Sequence, residues 1–347
     1  MDHGTPDIRA SVAAGFGTAQ APSSLYRSGY CRRRELLVTS RIARVTRRHA
    51  AVGTQTSLAI DNFPISGRPL DVRVVHALAM IKRHAAKVNA EMDWLDAERA
   101  EAIAAAAALV EAGDHDDQFP IDVFQTGSGT STNTNMNEVL AALANRPLGG
   151  EPAVHPNDHV NTSQSSNDTM PTAIRIAVAL ALRDELLPAL ADLAMDLQNA
   201  AERFDDVVKA GRTHLMDATP VMLGDECAAW ALGIEQVAGR VQASVEVLGE
   251  LPLGGTAVGT GLNSPPGFAD AVVATLADET RLPLRPAPGT PGRMSHQGGQ
   301  LALSTASGAM RDVAVAVTKF ATDVRLLSRG PATGLGELRL PSLQAGS

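Results

Sequence analysis

Apolar residues recur with helical spacing along most of the chain after residue 70. The longest such stretch runs from residue 169 to 204, contains no glycine, and has prolines only at Pro171 and Pro188. Apolar residues occupy every helical phase there, which predicts a buried helix. Further helices are predicted at 74–109, with a break near Asp96, and at 133–144, 220–251 and 301–327. Because short strands do not alternate with these helices, the pattern predicts an all-α fold.

Composition and charge exclude several classes of protein. The 347 residues are 44% hydrophobic but only 3% aromatic, so the core must consist mainly of Ala, Leu, Val and Ile in closely packed helices. A net charge of −8 argues against nucleic acid as a partner. Cys31 and Cys227 form no CxxC pattern, which predicts neither a disulfide framework nor a metal site. No apolar stretch reaches the roughly 20 residues that a membrane span requires.

The first 50 residues differ from the remainder in having many arginines and few acidic residues. These arginines include Arg32, Arg33, Arg34, Arg41, Arg44, Arg47 and Arg48. Two interpretations stay open: an organelle-targeting segment, which would place the protein in mitochondria, or a disordered or spuriously added extension of a cytoplasmic protein. We therefore expect three regions: the extension at 1–50, an N-terminal domain at 51–167 and a central helical-bundle domain at 168–347.

Three segments rich in Ser, Thr and Asn each precede a predicted helix, at residues 155–171, 125–138 and 211–220. In the first segment, Asp168 or Thr169 is expected to cap the helix, with a proline in its first turn. The side chains just before this cap then lie at the positive end of the helix dipole; they are Ser165, Ser166 and Asn167. Such residues usually only cap a helix, but each segment is longer than capping requires, which predicts anion binding.

Convergence of the three helix starts would form a pocket of neutral donors without a metal-ligand cluster, which suits a small di- or tricarboxylate. The histidines of these segments are the acid/base candidates, because their unperturbed pKa lies near neutrality. They are His155, His159 and His214. The preferred candidate is His214, between Thr213 and a predicted helix, and a structural role stays open for the other two. A glycine-rich loop at 251–263 lacks the GK[ST] of a phosphate-binding loop, so it predicts a flexible connection instead of a nucleotide site.

The three segments together resemble the class II fumarase family of the fumarase/aspartase superfamily. The matching sequences are QTGSGTSTNTNMNEV, HPNDHVNTSQSSNDTMPTAIRIA and GRTHLMDATP, in the family's order and spacing, and the likeness runs from about Gly53 to the C-terminus. Aspartases usually carry GRTQ and STND where this chain has GRTH and SSND, so His214 and Ser166 favour a fumarase. An aspartase or argininosuccinate-type lyase stays open as the alternative.

The resemblance implies a reversible, cofactor-free hydration of fumarate to L-malate by an all-α homotetramer whose sites gather residues from three subunits. It implies substrate contacts from Ser128, Thr130, Asn133, Ser165, Ser166, Asn167 and Thr213, while His214 would polarise the water that is added or lost. It also implies an accessory carboxylate site at His155, Asn157 and Asp158, although Pro152 replaces an arginine that is often found just upstream in the family.

The family's third signature is a GSSIMPGKVNP loop, which supplies the proton-abstracting serine together with a lysine and an asparagine that bind the substrate carboxylate. Gly346 and Ser347 match its first two letters, so the resemblance puts Ser347 at the position of the base. We expect the rest of this loop, part of the helical bundle and the family's small C-terminal domain to be missing. Residues 285–299 also depart from the family, with a proline- and glycine-rich run where the family has a helix start. The chain is therefore expected to be weakly active or inactive, or to be a non-catalytic fragment that co-assembles with intact subunits.

Overall fold

The computed structural model describes residues 51–148, 153–330 and 332–344, and within these ranges the protein is mainly α-helical, as predicted. The helices are α1 (Thr54–Asn62), α2 (Val72–Glu91), α3 (Ala97–Glu111), α4 (Thr130–Asn145), α5 (Ser166–Ala181), α6 (Leu187–Arg203), α7 (Leu223–Leu248), α8 (Phe268–Thr280), α9 (Gly289–Gly298) and α10 (Leu301–Leu327). The region expected to be an extension, 1–50, lies outside the described residues, as do Pro152 and Ser347. No helix in the described ranges is long and apolar enough to span a membrane.

The helix predicted to begin at residue 169 begins at Ser166 instead. Ser165 is the N-cap of α5, because its hydroxyl accepts the N–H of Asn167 at 3.3 Å. In return, the carboxylate of Asp168 accepts the N–H of Ser165 at 2.9 Å, which completes a capping box. The prediction that Asp168 or the following threonine caps this helix is therefore wrong. Pro171 lies in the second turn of α5, not in the first as predicted.

The helix continues to the predicted end through a local irregularity. Before Pro188, which has no N–H to donate, the backbone widens into a π-helical turn at Leu182–Leu186 and then resumes as α6. The predicted break near Asp96 is also present, since its carboxylate accepts the N–H of Arg99 at 3.0 Å and caps α3. Helix α10 has the predicted bounds. Apolar periodicity thus located the long helices closely.

The third polar segment forms most of a β-hairpin, and the helix predicted to begin at residue 220 begins at Leu223. Strand β1 (Val208–Thr213) pairs antiparallel with β2 (Met216–Met222), and α7 begins immediately after β2. His214 and Leu215 form the connecting turn with φ of 51° and 63°, the left-handed conformations of a type I′ turn. The sequence did not indicate this hairpin because most residues of both strands are exposed and show no period-two apolar pattern.

Residues 285–299, which depart from the family in sequence, form a short strand and a helix. Strand β4 (Arg285–Pro286) runs parallel to β3 (Glu250–Leu251), and α9 follows it. Pro291 falls in the first turn of α9, where a missing N–H removes no intrahelical hydrogen bond. The proline- and glycine-rich sequence is therefore compatible with a helix.

Two groups of helices share one hydrophobic core. Helix α2 packs against α3, α5 and α8, while α6 and α10 both pack on α7. Leu78, Ile103 and Ile176 are fully buried in the first group, and Ile234 and Val241 are buried in the second. The core continues between the groups through α5, which contacts α2 and α7. The division into domains at residue 167 stays a prediction.

Candidate active site

The N-termini of α4 and α5 meet at one cleft. It has a volume of about 500 Å³ and is lined by residues 125–129, just before α4, and by Asn167, Met170 and Pro171 of α5. The lining also includes residues 257 and 258 of the glycine-rich loop and part of α9. Two of the three predicted polar segments are therefore brought together, and both place the positive end of a helix at the same space.

The segment before α4 presents hydroxyl groups at the cleft. The Oγ of Ser128 lies 2.9 Å from the Oγ1 of Thr130, and both residues are exposed. Gly129, the N-cap of α4, has a φ of 68° and no side chain to cap the helix. Gln125 takes that role, because its Oε1 accepts the N–H of Thr132 at 2.9 Å and its Nε2 donates to the hydroxyl of Thr132 at 2.6 Å. The hydroxyls of Ser128 and Thr130 are thus left available for a ligand.

Of the predicted contact residues, Ser128 and Asn167 line the cleft, whereas Asn133 is buried and does not. Thr130, Ser165 and Ser166 are also absent from the lining. Its Nδ2 donates to the Oγ of Ser166 at 3.2 Å and to the Oδ1 of Asn161 at 3.1 Å, and its Oδ1 accepts the hydroxyl of Thr169 at 3.3 Å. Asn133 therefore holds the start of α5 against α4.

Two buried ionisable side chains that the sequence did not reveal, Lys82 and Asp168, lie next to this network. Lys82 of α2 is fully buried and donates to the Oδ1 of Asn161 at 2.9 Å. Burial lowers the pKa of Lys82 to about 7, against the attraction of Asp168. Burial likewise raises the pKa of Asp168 to about 7, although the N–H groups of Ser165 and Thr256 and the charge of Lys82 lower it. No signal in the sequence marked Lys82, because Arg83 and His84 follow it in the same helix.

The first part of the glycine-rich loop, residues 251–256, is buried and hydrogen-bonded, although the loop was predicted to be flexible. The N–H groups of Gly254 and Thr256 donate to the Oδ2 of Asp168 at 3.1 and 2.8 Å. Gly254 has a φ of 80°, and a Cβ there would lie only 2.5 Å from that of Ala269, so this position requires glycine. The Nε2 of Gln297 in α9 donates to the carbonyl of Thr256 at 2.6 Å. The loop is therefore a fixed part of the cleft.

His214 and Thr213 lie at the tip of the β1–β2 hairpin, away from the residues of the first cleft. Both are exposed, and His214 lines a separate cleft together with Arg212, Trp230 and residues near the end of α10. One copy of the chain does not bring His214 to Ser128. Within a single chain the third segment therefore lies apart from the other two, because it forms a hairpin beside a separate cleft.

The predicted accessory residues lie together in the π-helical turn at Pro156–Val160. The Nδ1 of His155 accepts the N–H of Asp158 at 3.1 Å and so caps this turn. The Nδ2 of Asn157 donates to the Oδ1 of Asp158 at 3.2 Å, and all three side chains are accessible to solvent. Burial lowers the pKa of the neighbouring His159. Across the described part of the chain, His, Cys, Asp and Glu side chains form no group of three or more that could hold a metal ion.

Sequence comparisons identify the relatives of the chain. A family model described as "Lyase" matches residues 44–347. A class II fumarate hydratase of Pseudomonas aeruginosa is 47% identical over 299 residues, which make up 85% of this chain and 64% of that protein. A class II fumarate hydratase of Mycobacterium tuberculosis is 51% identical over 294 residues, which make up 84% of this chain and 61% of that protein. The chain thus spans less than two thirds of the length of these curated relatives.

Comparison of the fold with solved structures finds similarity to the same class of proteins as the sequence comparison. The crystal structure of recombinant class II fumarase from Schistosoma mansoni matches with a TM-score of 0.83 and 35% sequence identity, covering 86% of this chain and 66% of that chain. Sequence and fold together confirm the resemblance carried by the three polar segments. The chain belongs to the lyase family of the fumarase/aspartase superfamily, in its class II fumarase branch.

Proposed function

We propose that the protein is a fumarate hydratase-type lyase, which reversibly adds water to fumarate and gives L-malate. The observation that carries the proposal is the meeting of two helix N-termini at one cleft, with the hydroxyl of Ser128 and the amide of Asn167 in its lining. Neutral donors and partial positive charge at helix N-termini favour a dicarboxylate without the help of a cofactor. The relatives named fumarate hydratase support fumarate as that dicarboxylate.

The proposed roles follow from where charge develops in the reaction. Removing a proton beside a carboxylate builds up negative charge on that carboxylate, and preorganised donors stabilise such charge best. We assign this role to Ser128, Thr130, Ser165, Ser166, Asn167 and Thr213, with Asn133 acting through Ser166. His214 polarises the water, Ser347 takes the proton, and the accessory residues His155, Asn157 and Asp158 bind a second carboxylate.

Several copies of the chain are needed for a complete site in this proposal. Ser128 and His214 line different clefts of one copy, so the groups that bind the substrate and the group that polarises water must come from different subunits. We propose a cytoplasmic homotetramer in which each site gathers residues from three subunits. Weak or absent hydration by the 347-residue chain alone stays a prediction.

Fumarate binding to the first cleft is the direct test of this function. Isothermal titration with fumarate and L-malate should show binding to the chain, and acetate should bind much more weakly because it can occupy only one carboxylate position. Ser128→Ala and Asn167→Ala should each weaken fumarate binding by about tenfold, the order of magnitude for one lost hydrogen bond to a charged group. Thr305→Ala is the matched control, since this exposed hydroxyl on α10 bonds the carbonyl of Leu301 away from both clefts.

Two results of this titration would contradict the proposal. Equal affinity of the wild-type chain for fumarate and acetate would mean that the cleft does not recognise a dicarboxylate. Unchanged fumarate affinity in both alanine variants would mean that the dicarboxylate binds elsewhere. An assay of ammonia release from L-aspartate discriminates the alternative, because activity on aspartate without hydration of fumarate would favour an aspartase-type lyase.

A further inference from the structure

Asp168 is a fully buried carboxylate whose two oxygens bind different parts of the cleft. Its Oδ1 accepts the N–H of Ser165, which starts α5, and its Oδ2 accepts the N–H groups of Gly254 and Thr256 in the glycine-rich loop. We propose that Asp168 is a positioning residue that clamps the donors at the start of α5 to the loop at 254–256, and so fixes the shape of the substrate cleft. This inference rests on the proposed function for the identity of the ligand.

Sequence neighbours of the residues that Asp168 holds together line the cleft. Asn167 precedes Asp168 in the chain, and Ala257 and Val258 follow Thr256; all three line the cleft. Because one carboxylate holds both backbone segments, a change in its position moves two parts of the lining together. Gln297 of α9, which also lines the cleft, donates to the carbonyl of Thr256 and extends the clamp to a third element.

Capping alone does not explain why this carboxylate is buried. An acidic residue at the third position of a helix completes a capping box equally well when it is exposed to solvent. Burying a carboxylate costs free energy unless hydrogen bonds and an opposite charge compensate for lost hydration. Here three N–H groups bind the oxygens and Lys82 is close enough for its charge to act on Asp168, and together they offset part of the cost of burial. Lys82, Asp168 and the N–H groups of the loop thus hold α2, α5 and the loop together inside the protein by electrostatic interactions.

Lys82, whose charge acts on Asp168, is also linked to the predicted substrate contacts Asn133 and Ser166 through hydrogen bonds. It donates to the Oδ1 of Asn161, which also accepts from the amides of Asn133 and Asn137 at 3.1 and 3.3 Å. Asn133 in turn donates to the hydroxyl of Ser166. The neutral amides of Asn133 and Asn161 thus join Lys82 to Ser166, and Lys82 of α2 is the charged side chain that acts on the titration of Asp168.

Hydrogen exchange of individual amides, followed by NMR on the full 347-residue chain, tests the clamp. In Asp168→Asn, the amides of Gly254 and Thr256 should exchange about tenfold to a hundredfold faster than in wild type, the factor expected when a hydrogen bond to a charged acceptor is weakened. Core amides such as that of Ile176 should change much less. Asp225→Asn is the matched control, because Asp225 is an exposed aspartate at the third position of α7. Unchanged exchange at Gly254 and Thr256, or the same acceleration throughout the core, would overturn the inference.

A measurement on the wild type keeps the inference testable if Asp168→Asn does not fold. The amide resonances of Ser165, Gly254 and Thr256 should share the same midpoint or midpoints during a pH titration, because all three N–H groups bind the one carboxylate of Asp168, which titrates together with Lys82. Different midpoints for Ser165 and for the two loop amides would contradict a shared clamp. Fumarate titration separates the two proposals: absence of fumarate binding by wild type refutes the proposed function, whereas the amide readouts still decide the role of Asp168.

Discussion

Asp122 fixes the loop between α1 and α2 to the segment that leads into the cleft. Its carboxylate accepts the N–H groups of Ser66 at 2.6 Å, Gly67 at 2.7 Å and Phe124 at 2.9 Å. Burial raises the pKa of Asp122, but these N–H groups outweigh it and lower the pKa to about 2. Because the adjacent Val123 lines the cleft, this carboxylate also determines where the cleft lining lies.

Asp122→Asn should destabilise the protein at neutral pH, because an N–H₂ group then replaces an oxygen that accepts backbone N–H groups. A carboxyl with a depressed pKa stabilises the fold above its unfolded pKa of about 4, and this contribution disappears as pH falls toward the folded pKa of about 2. The difference in free energy of unfolding between wild type and variant should therefore shrink as pH falls from about 5 to about 3. Urea unfolding at several pH values measures this difference in free energy of unfolding. A difference that does not change with pH would argue against stabilisation by the ionised carboxylate of Asp122.

How far the site could be predicted from sequence depended on where each residue finds its partners. Ser165 and Asn167 act next to their own helix start, so local capping rules located them. Lys82 and Asp168 act on partners 79 and 86 positions away, at Asn161 and Gly254. No local pattern distinguishes such side chains from ordinary helix residues, and only the packing of α2, α5 and the loop brings them together.

The β1–β2 hairpin holds His214 in a backbone conformation that residues other than glycine rarely adopt. A left-handed backbone costs about 1–2 kcal/mol for a residue with a Cβ, so surrounding contacts must hold the turn in place. Glu337 supplies them from outside the hairpin: it forms ion pairs with Arg212, and with the Nζ of Lys209 at 2.8 Å. Lys209 also lies 2.6 Å from Glu226 of α7. The hairpin is thereby anchored on two sides near its base.

Leu215→Gly should stabilise the chain, by about 0.5–1 kcal/mol, because glycine adopts positive φ without strain. Leu215 has a φ of 63° and its side chain is 68% exposed, so its removal loses little buried surface. The midpoint of urea unfolding should rise accordingly. Leu262→Gly is the matched control, since Leu262 is a 76% exposed loop leucine outside the positive-φ residues. Equal effects of the two substitutions would show that the turn is not strained.

Long helices were predicted from sequence, whereas the short hairpin and α9 were not, and the reason is physical. A long amphipathic or buried helix repeats its signal over many turns, so α10 and the α5–α6 helix were located from apolar spacing. The β1–β2 hairpin and α9 are short, and neither buries a continuous apolar face. Their formation depends on contacts with the rest of the molecule: the ion pairs of Glu337 for the hairpin, and the loop at 254–259 for α9.

The bundle formed by α6, α7 and α10 exposes large apolar side chains to solvent. Met195 of α6 is 54% exposed, Leu232 of α7 is 54% exposed and Val315 of α10 is 64% exposed. Apolar side chains exposed along neighbouring long helices are typical of an interface between subunits. This surface of the bundle is where we expect copies of the chain to associate in the proposed homotetramer.

Acidic residues on the bundle should weaken that association, because an unpaired carboxylate is costly to bury in an apolar interface. The wild-type chain should sediment as an oligomer, and the double variant Leu232→Glu, Val315→Glu should shift toward the monomer while its helical circular dichroism stays unchanged. Leu262→Glu introduces the same charge at an exposed loop leucine outside the bundle and should leave the oligomer intact. A monomeric wild type, or equal dissociation in both variants, would contradict assembly through α6, α7 and α10. Because Ser128 and Asn167 line a cleft within one chain, the dissociated double variant should still bind fumarate, which separates loss of assembly from loss of the binding site.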